Sequence, residues 1–414
     1  MKEQIRSQLH DPRQLEHLYR TNKGSFKREF NSLYPELRGN PLADFWHERL
    51  QYEGDELHWG SRGELLFIGM AALLAGLIAK FPVIFGISEE FFYPRNVGFI
   101  AFSPLLAYFA WKHHLSPTKT AIIVALTLAG LVFINVFPDV PKSDTLVLSC
   151  IHLLLFLWSI LGFTFVGTVK DDPQKRLSYL RYNGDLIVIT TLILIAGGIL
   201  TGLTIGLFEL IGLHIQKFYF EYVVIFGRPA APLVGTYLTQ TNPQLVGKVS
   251  PVIAKLFSPL VLVMLVIYLI AIFYSGKDPY QDREFLLLFN ALLIGVMALI
   301  FFSIAETSKN QQRMFEVWIL ALLSVVTIIV NGIALSAIVF RISEWGITPN
   351  RLAVLGSNIL ILINLLLVTL RLFKVIAKKS DLTDVGKVMA FYLPLYSVWT
   401  VIVTFLFPLF FGFK

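Results

Sequence analysis

The sequence predicts an all-α fold: a polytopic integral membrane helical bundle of about eleven transmembrane helices, preceded by a small helical N-terminal segment. Three observations predict it. Only 15% of the 414 residues are charged while 55% are hydrophobic, and the mean hydropathy is +0.67. A soluble domain carries roughly 25% charge, so this chain has too little polar surface to face water. Apolar runs recur from residue 64 to the end, and each is near the roughly 20 residues a helix needs to cross a bilayer core. These runs are far longer than the ~10-residue alternating strands of a barrel. Lipid offers backbone N–H and C=O groups no partner, so such runs span as helices.

Residues 1–63 are polar and form the predicted cytoplasmic segment; residues 64–414 form the membrane domain. No cleavable signal is expected, because the first apolar run begins too late. Asn40-Pro41 is a helix start, with Asn as N-cap and Pro at the first helical position. Leu42, Phe45, Trp46 and Leu50 follow at helical spacing and make one apolar face. That face suits either a small helical subdomain or a helix lying on the bilayer with Trp46 at headgroup level.

The spans are read at 65–87, 96–111, 119–137, 145–167, 186–212, 218–238, 256–275, 285–305, 315–340, 350–373 and 391–412. Orientation follows from Lys and Arg, which concentrate on the cytoplasmic side. With the N-terminus inside, Lys170, Lys175, Arg176 and Arg181 fall in one cytoplasmic loop. Arg371, Lys374, Lys378, Lys379 and Lys387 fall in another. Arg95, Lys142, Lys217, Lys277, Arg283, Arg341, Arg351 and Lys414 are left outside, and an odd span count puts the C-terminus there too. The same rule accounts for the net charge of +7 without nucleic acid. Gly198, Gly202 and Gly206 repeat every fourth residue, the pattern of a close helix–helix contact.

Known chemical motifs are missing. His47-Glu48 opens like a zinc helix, but position 51 is Gln, and adjacent His113-His114 point ~100° apart on a helix. There is no P-loop, dinucleotide fingerprint or nucleophile elbow. Cys150 is the single cysteine and excludes an intrachain disulfide. No cofactor, metal or catalytic residue is expected.

Two groups of residues carry the functional candidates. The first is polar residues at membrane depth, which are costly to place there. Glu209 and Glu221 lie near span ends, and Arg228 lies within the sixth span. The following Pro229-Ala230-Ala231-Pro232 predicts a broken helix, a feature transporters use to build binding sites. The alternatives are a structural Arg228–Glu209 ion pair, and an Arg228 that stands at a span end because the sixth span is re-entrant or placed elsewhere. Ser324, Thr327 and Asn331 share one face of the ninth span, with Asn358 and Asn364 on the tenth. They read either as a polar path or as interhelical hydrogen bonds.

The second group is the corner Arg341-Ile-Ser-Glu-Trp-Gly-Ile-Thr-Pro-Asn-Arg351. Gly346 permits a positive φ, and Thr348-Pro349 starts the next helix. Arg341, Glu344, Thr348, Asn350 and Arg351 are candidates for holding an anion or lipid headgroup at that helix N-terminus. Alternatively Glu344 pairs with Arg341 or Arg351 and closes the corner on itself.

The run from Glu344 to Arg351 resembles the turn, Glu-aromatic-Gly-x-Thr followed by Asn or Arg, of a bacterial membrane-protein family known as domain of unknown function 4153. Leu18-Tyr19-Arg20 and Phe45-Trp-His-Glu-Arg-Leu50 resemble the front end of its members. The resemblance implies a polytopic protein of the bacterial inner membrane and brings no activity with it. The membrane features favour a small-solute or ion transporter, with membrane lipids and a small solute or headgroup as partners. The alternatives are a membrane enzyme on a lipid-linked anionic substrate at the outer face, using Glu89-Glu90 and Glu344, and a non-catalytic assembly factor or sensor.

Overall fold

A computed structural model describes residues 2–21, 23–52, 60–167, 172–210, 213–243, 257–267, 269–270, 280, 283–307 and 314–414. These residues are helical throughout, with no strand among them. The chain divides into two compact units, Met1–Trp59 and Gly60–Lys414.

The first unit holds α1 (Lys2–Ser7), α2 (Pro12–Thr21), α3 (Lys23–Leu37) and α4 (Pro41–Tyr52). Asn40 caps α4, its Oδ1 accepting from the N–H groups of Leu42 and Ala43 at 3.0 and 3.2 Å. Ile5, Leu15, Phe26, Phe30, Trp46 and Leu50 fill its core. Trp46 is only 2% exposed, so it cannot sit at headgroup level, and the interfacial-helix reading is corrected. Arg49 covers the Trp46 ring at 4.6 Å and pairs with Glu16 at 2.8 Å.

The second unit begins with α5 (Arg62–Ala79), α6 (Phe81–Phe85), α7 (Glu89–Lys112), α8 (Pro117–Val136), α9 (Asp144–Val166) and α10 (Pro173–Leu210). Next come α11 (Gln216–Tyr219), a π-helical turn at Phe220–Val224, and α12 (Ile225–Thr241). A shorter apolar helix, α13 (Phe257–Ile267), follows. The unit ends with α14 (Arg283–Thr307), α15 (Met314–Trp345), α16 (Pro349–Ile376), α17 (Leu382–Val401), a second π turn at Ile402–Leu406, and α18 (Phe407–Phe410). Residues 256, 268 and 271–275 of the predicted seventh span, the end of the fifth at 211–212, and Lys170 and Lys277 lie outside the described residues.

Seven of these helices are long and apolar enough to cross a membrane: α5, α8, α9, α10, α15, α16, and α17 with its continuation to Phe410. The chain is therefore a multi-pass helical membrane protein. Two further helices run antiparallel to α5 over its length. On α7, Tyr93 donates to the Ala79 carbonyl at one end (2.9 Å), and Lys112 reaches Glu64 at the other (2.9 Å). On the α11–α12 rod, Tyr222 lies over Lys80, Phe226 fills the space at Gly76, and Thr241 abuts Gly60. Arg95 and Asn96 in the second turn of α7 lower its apolarity. The rod from α11 to α12 carries Glu221, Arg228, Pro229 and Pro232.

The predicted break after Arg228 is not found: α12 runs unbroken through Pro229 and Pro232. Among the described residues, nothing comes within 4 Å of a Cβ at Gly198, Gly202 or Gly206, so none of them makes the close contact expected at the glycine stripe of α10. At 38 residues, α10 outruns its neighbours, and its second half stands exposed.

The core has two halves. One is built by α5, α7, α8, α9 and α12 with Tyr179 and Tyr182 of α10, the other by Leu177 and Leu180 of α10 with α13–α17. Trp158 of α9 packs against both. The C-terminal turn docks on the start of α9, where Ser143 Oγ donates to the Phe413 carbonyl at 3.0 Å. Residues 143 and 413 thus share the end of the bundle opposite Gly60.

Candidate functional site

The site is best built from α15. Its inward face reads Val317, Leu320, Ser324, Thr327, Asn331, Ala334 and Ile338, all buried and spaced by three or four residues. The spacing is that of a helix face turned to a core, and its centre is polar. No charged residue or histidine lies between Glu316 and Arg341 of α15, between Arg351 and Arg371 of α16, or between Lys387 and Lys414. Three adjacent helices are therefore charge-free through their middles.

The α15–α16 pair is antiparallel. Thr369 Oγ1 lies 2.9 Å from Ser324 Oγ, and Asn331 Nδ2 donates to the Asn358 carbonyl at 3.2 Å. Pairing of 324 with 369 and of 331 with 358 sets Thr327 at the level of Asn364. α17 closes the third side. Asn364 Nδ2 donates to Tyr396 Oη at 3.1 Å, and Trp399 Nε1 donates to Ser357 Oγ at 2.9 Å. Gly356 makes the second contact possible, since a Cβ there would lie 2.1 Å from the Trp399 ring.

The seam is incompletely satisfied. Asn331 Oδ1, Asn358 Nδ2 and Asn364 Oδ1 are buried with no hydrogen-bond partner. Their residues are 0%, 2% and 0% exposed. A buried amide without a partner costs about 1–3 kcal/mol. Natural cores keep such groups rare, and here three carboxamides carry them in one seam. Asn331 is near the middle of the 32-residue α15, and Asn358 and Asn364 bracket the middle of the 28-residue α16. This is the depth at which transporters place their binding groups.

The corner between α15 and α16 is held by its own arginines. Gly346 has φ of +77°, and Thr348 Oγ1 accepts from the Arg351 N–H at 3.3 Å, as an N-cap does. Arg351 Nη1 donates to the carbonyls of Trp345 and Gly346 at 2.8 and 2.7 Å, so it caps the end of α15. Arg341 Nε donates to the Tyr280 carbonyl at 2.9 Å. Both guanidinium groups stand 5.6 Å from the Trp345 ring centroid. Glu344 is exposed and, among the described residues, pairs with neither arginine; Asn350 is half-buried on the first turn of α16.

The remaining membrane-depth candidates are dispersed. Glu209 and Arg228 are exposed and form no ion pair with each other; Glu221 lies 3.9 Å from Lys217. Two polar clusters escaped the sequence reading. Glu64 Oε1 accepts from Tyr108 Oη at 2.5 Å and from Lys112 Nζ at 2.9 Å, which ties α5 to α7. Arg95, expected in an external loop, is buried within α7, where Nη2 reaches Asp139 at 3.2 Å. Beside it Asn96 and Asn135 exchange amide hydrogen bonds at 2.9 Å. The signal for the first cluster was opposite charge at matching ends of consecutive antiparallel runs, Glu64 opposite Lys112.

Among the described residues no three His, Cys, Asp or Glu side chains stand together as metal ligands. No family model matches the chain, and no curated protein or solved structure matches it.

Proposed function

We propose that this multi-pass membrane protein is a transporter or permease for a small solute, and that the solute passes the seam between α15, α16 and α17. One observation carries the reading: three buried carboxamides at mid-helix with unsatisfied polar atoms. Interhelical bracing alone calls for paired groups, whereas a permeation site holds groups that a solute satisfies in transit.

The eleven-span reading belongs to this proposal. It is supported by α7 and the α11–α12 rod running along α5, and by the Ser258–Ser303 contact at 3.0 Å that sets α13 against α14. Placement of the N-terminus in the cytoplasm and the C-terminus outside is likewise proposed. The end that holds Gly60 gathers Lys112 and Lys119, and Arg176 there reaches the Ala390 carbonyl. The bacterial inner membrane, and membership of the family of domain of unknown function 4153, rest on the corner motif.

Aqueous access tests the reading. In a Cys150→Ala background, cysteines replace Ser324, Thr327 and Asn331 on the seam, and Leu322 and Ile329 on the exposed face of α15. The membranes are treated with a charged, membrane-impermeant thiol reagent. Reaction at the seam and none on the exposed face is expected. Seam cysteines that react only after denaturation refute a permeation path.

A further inference from the structure

The chemistry of the seam also points to the class of solute, an inference that rests on the transport reading. We infer that the seam takes an uncharged solute that both donates and accepts hydrogen bonds, a small polyol or amide, and rejects ions.

Two observations lead there. The first is the lack of charge. α15 carries no ionisable side chain from Val317 to Phe340, α16 none from Leu352 to Leu370, and α17 onward only tyrosines from Val388 to Phe413. An ion moved to this depth loses hydration worth tens of kcal/mol in a dry medium, and nothing here offers a counter-charge. The second is the mixed character of the free groups. Asn331 Oδ1 and Asn364 Oδ1 accept, whereas Asn358 Nδ2 donates. A cation would be repelled by the donor and an anion by the two acceptors. A hydroxyl or carboxamide satisfies both kinds.

Asn358 and Asn364 are six residues apart, about 9 Å along α16. That is longer than glycerol or urea, so the two carboxamides act as successive stations. Ser324, Thr327 and Thr369 continue the line with hydroxyl groups whose protons go to carbonyls of their own helices or to the facing hydroxyl, which leaves their oxygens as acceptors.

The test uses the full chain in liposomes, with stopped-flow light scattering after an osmotic step of glycerol, urea or potassium chloride. Shrinkage followed by reswelling is expected with glycerol or urea, faster than in protein-free liposomes, and none with potassium chloride. Asn331→Leu should slow reswelling about tenfold, which corresponds to one lost hydrogen bond of about 1.4 kcal/mol. Asn331→Gln, which restores a carboxamide, should recover part of the rate. Reswelling with potassium chloride, faster water exit alone, or no glycerol or urea flux each overturns the inference. If the seam cysteines react with the aqueous reagent while glycerol and urea fail, the solute class is wrong and the path stands. If the cysteines are silent, the transport reading falls and this inference with it.

Discussion

Replacing Asn331 by leucine separates a seam kept for function from one kept for stability. The side chain makes one interhelical hydrogen bond, to the Asn358 carbonyl at 3.2 Å. Such bonds between membrane helices average about 0.6 kcal/mol. Its loss leaves that carbonyl in place within α16, where the helix supplies an N–H. The substitution also removes Asn331 Oδ1, a buried acceptor with no partner, whose burial costs about 1–3 kcal/mol. Leucine has the same branched skeleton with larger methyl groups, and it faces an apolar core that includes Val330 and Ala334. The second effect exceeds the first. Asn331→Leu should leave stability unchanged or raise it by about 1 kcal/mol, while solute flux falls. Equilibrium unfolding in mixed detergent micelles, followed by circular dichroism, measures the first quantity, and liposome flux the second. A stability loss of more than about 2 kcal/mol with flux intact would show that Asn331 is a brace, and the reasoning would fail.

Three further outcomes follow from the packing. Glu64→Ala strands the Lys112 ammonium beside Tyr108 and should destabilise the bundle by about 3 kcal/mol; adding Lys112→Met should recover at least half, as a double-mutant cycle in micelles would read. Gly356→Ala places a methyl 2.1 Å from the Trp399 ring and should cost about 1–3 kcal/mol; Trp399→Phe in the same chain should relieve part of the drop in melting temperature. The hydrogen bond from Arg20, with the charge of Arg49, holds the Glu16 carboxyl below its ordinary value. Its folded pKa is thus the lower one, so its contribution is complete above the unfolded value of about 4.3 and fades as pH falls through the folded one. A fragment of residues 1–59 should fold on its own core, lose helicity on acidification below about pH 4, and lose this part of the dependence in Glu16→Gln.

What the sequence made legible divides by distance along the chain. Composition and run length settle the helical membrane class, because lipid leaves the backbone no other form. Caps are local, and Thr348, Pro349 and Gly346 at the corner take the places their chemistry requires. The polar face of α15 was visible as Ser324, Thr327 and Asn331 at helical spacing. That the Asn331 carboxamide keeps an unpaired oxygen was not, since this depends on Asn358, 27 residues away, and on how α17 closes the third side. Arg95 was misplaced for the same reason. A charge among aromatic residues near the start of a run reads as loop until Asp139, 44 residues on, is seen to meet it. Trp46 was ambiguous because one apolar face serves a core and a bilayer surface equally well. Pro229 and Pro232 misled because a proline signals a break locally, whereas α12 continues through both of them.

The most direct measurement is the contact between water and the seam. In lipid bilayers, solid-state NMR with polarisation transfer from mobile water reads the side-chain amides of Asn331, Asn358 and Asn364, assigned by their loss in single leucine variants. The transport account predicts rapid transfer from water to all three, on the scale of surface asparagines. Transfer that reaches them no faster than it reaches Leu320 and Leu365, which are buried in the same core, would contradict it.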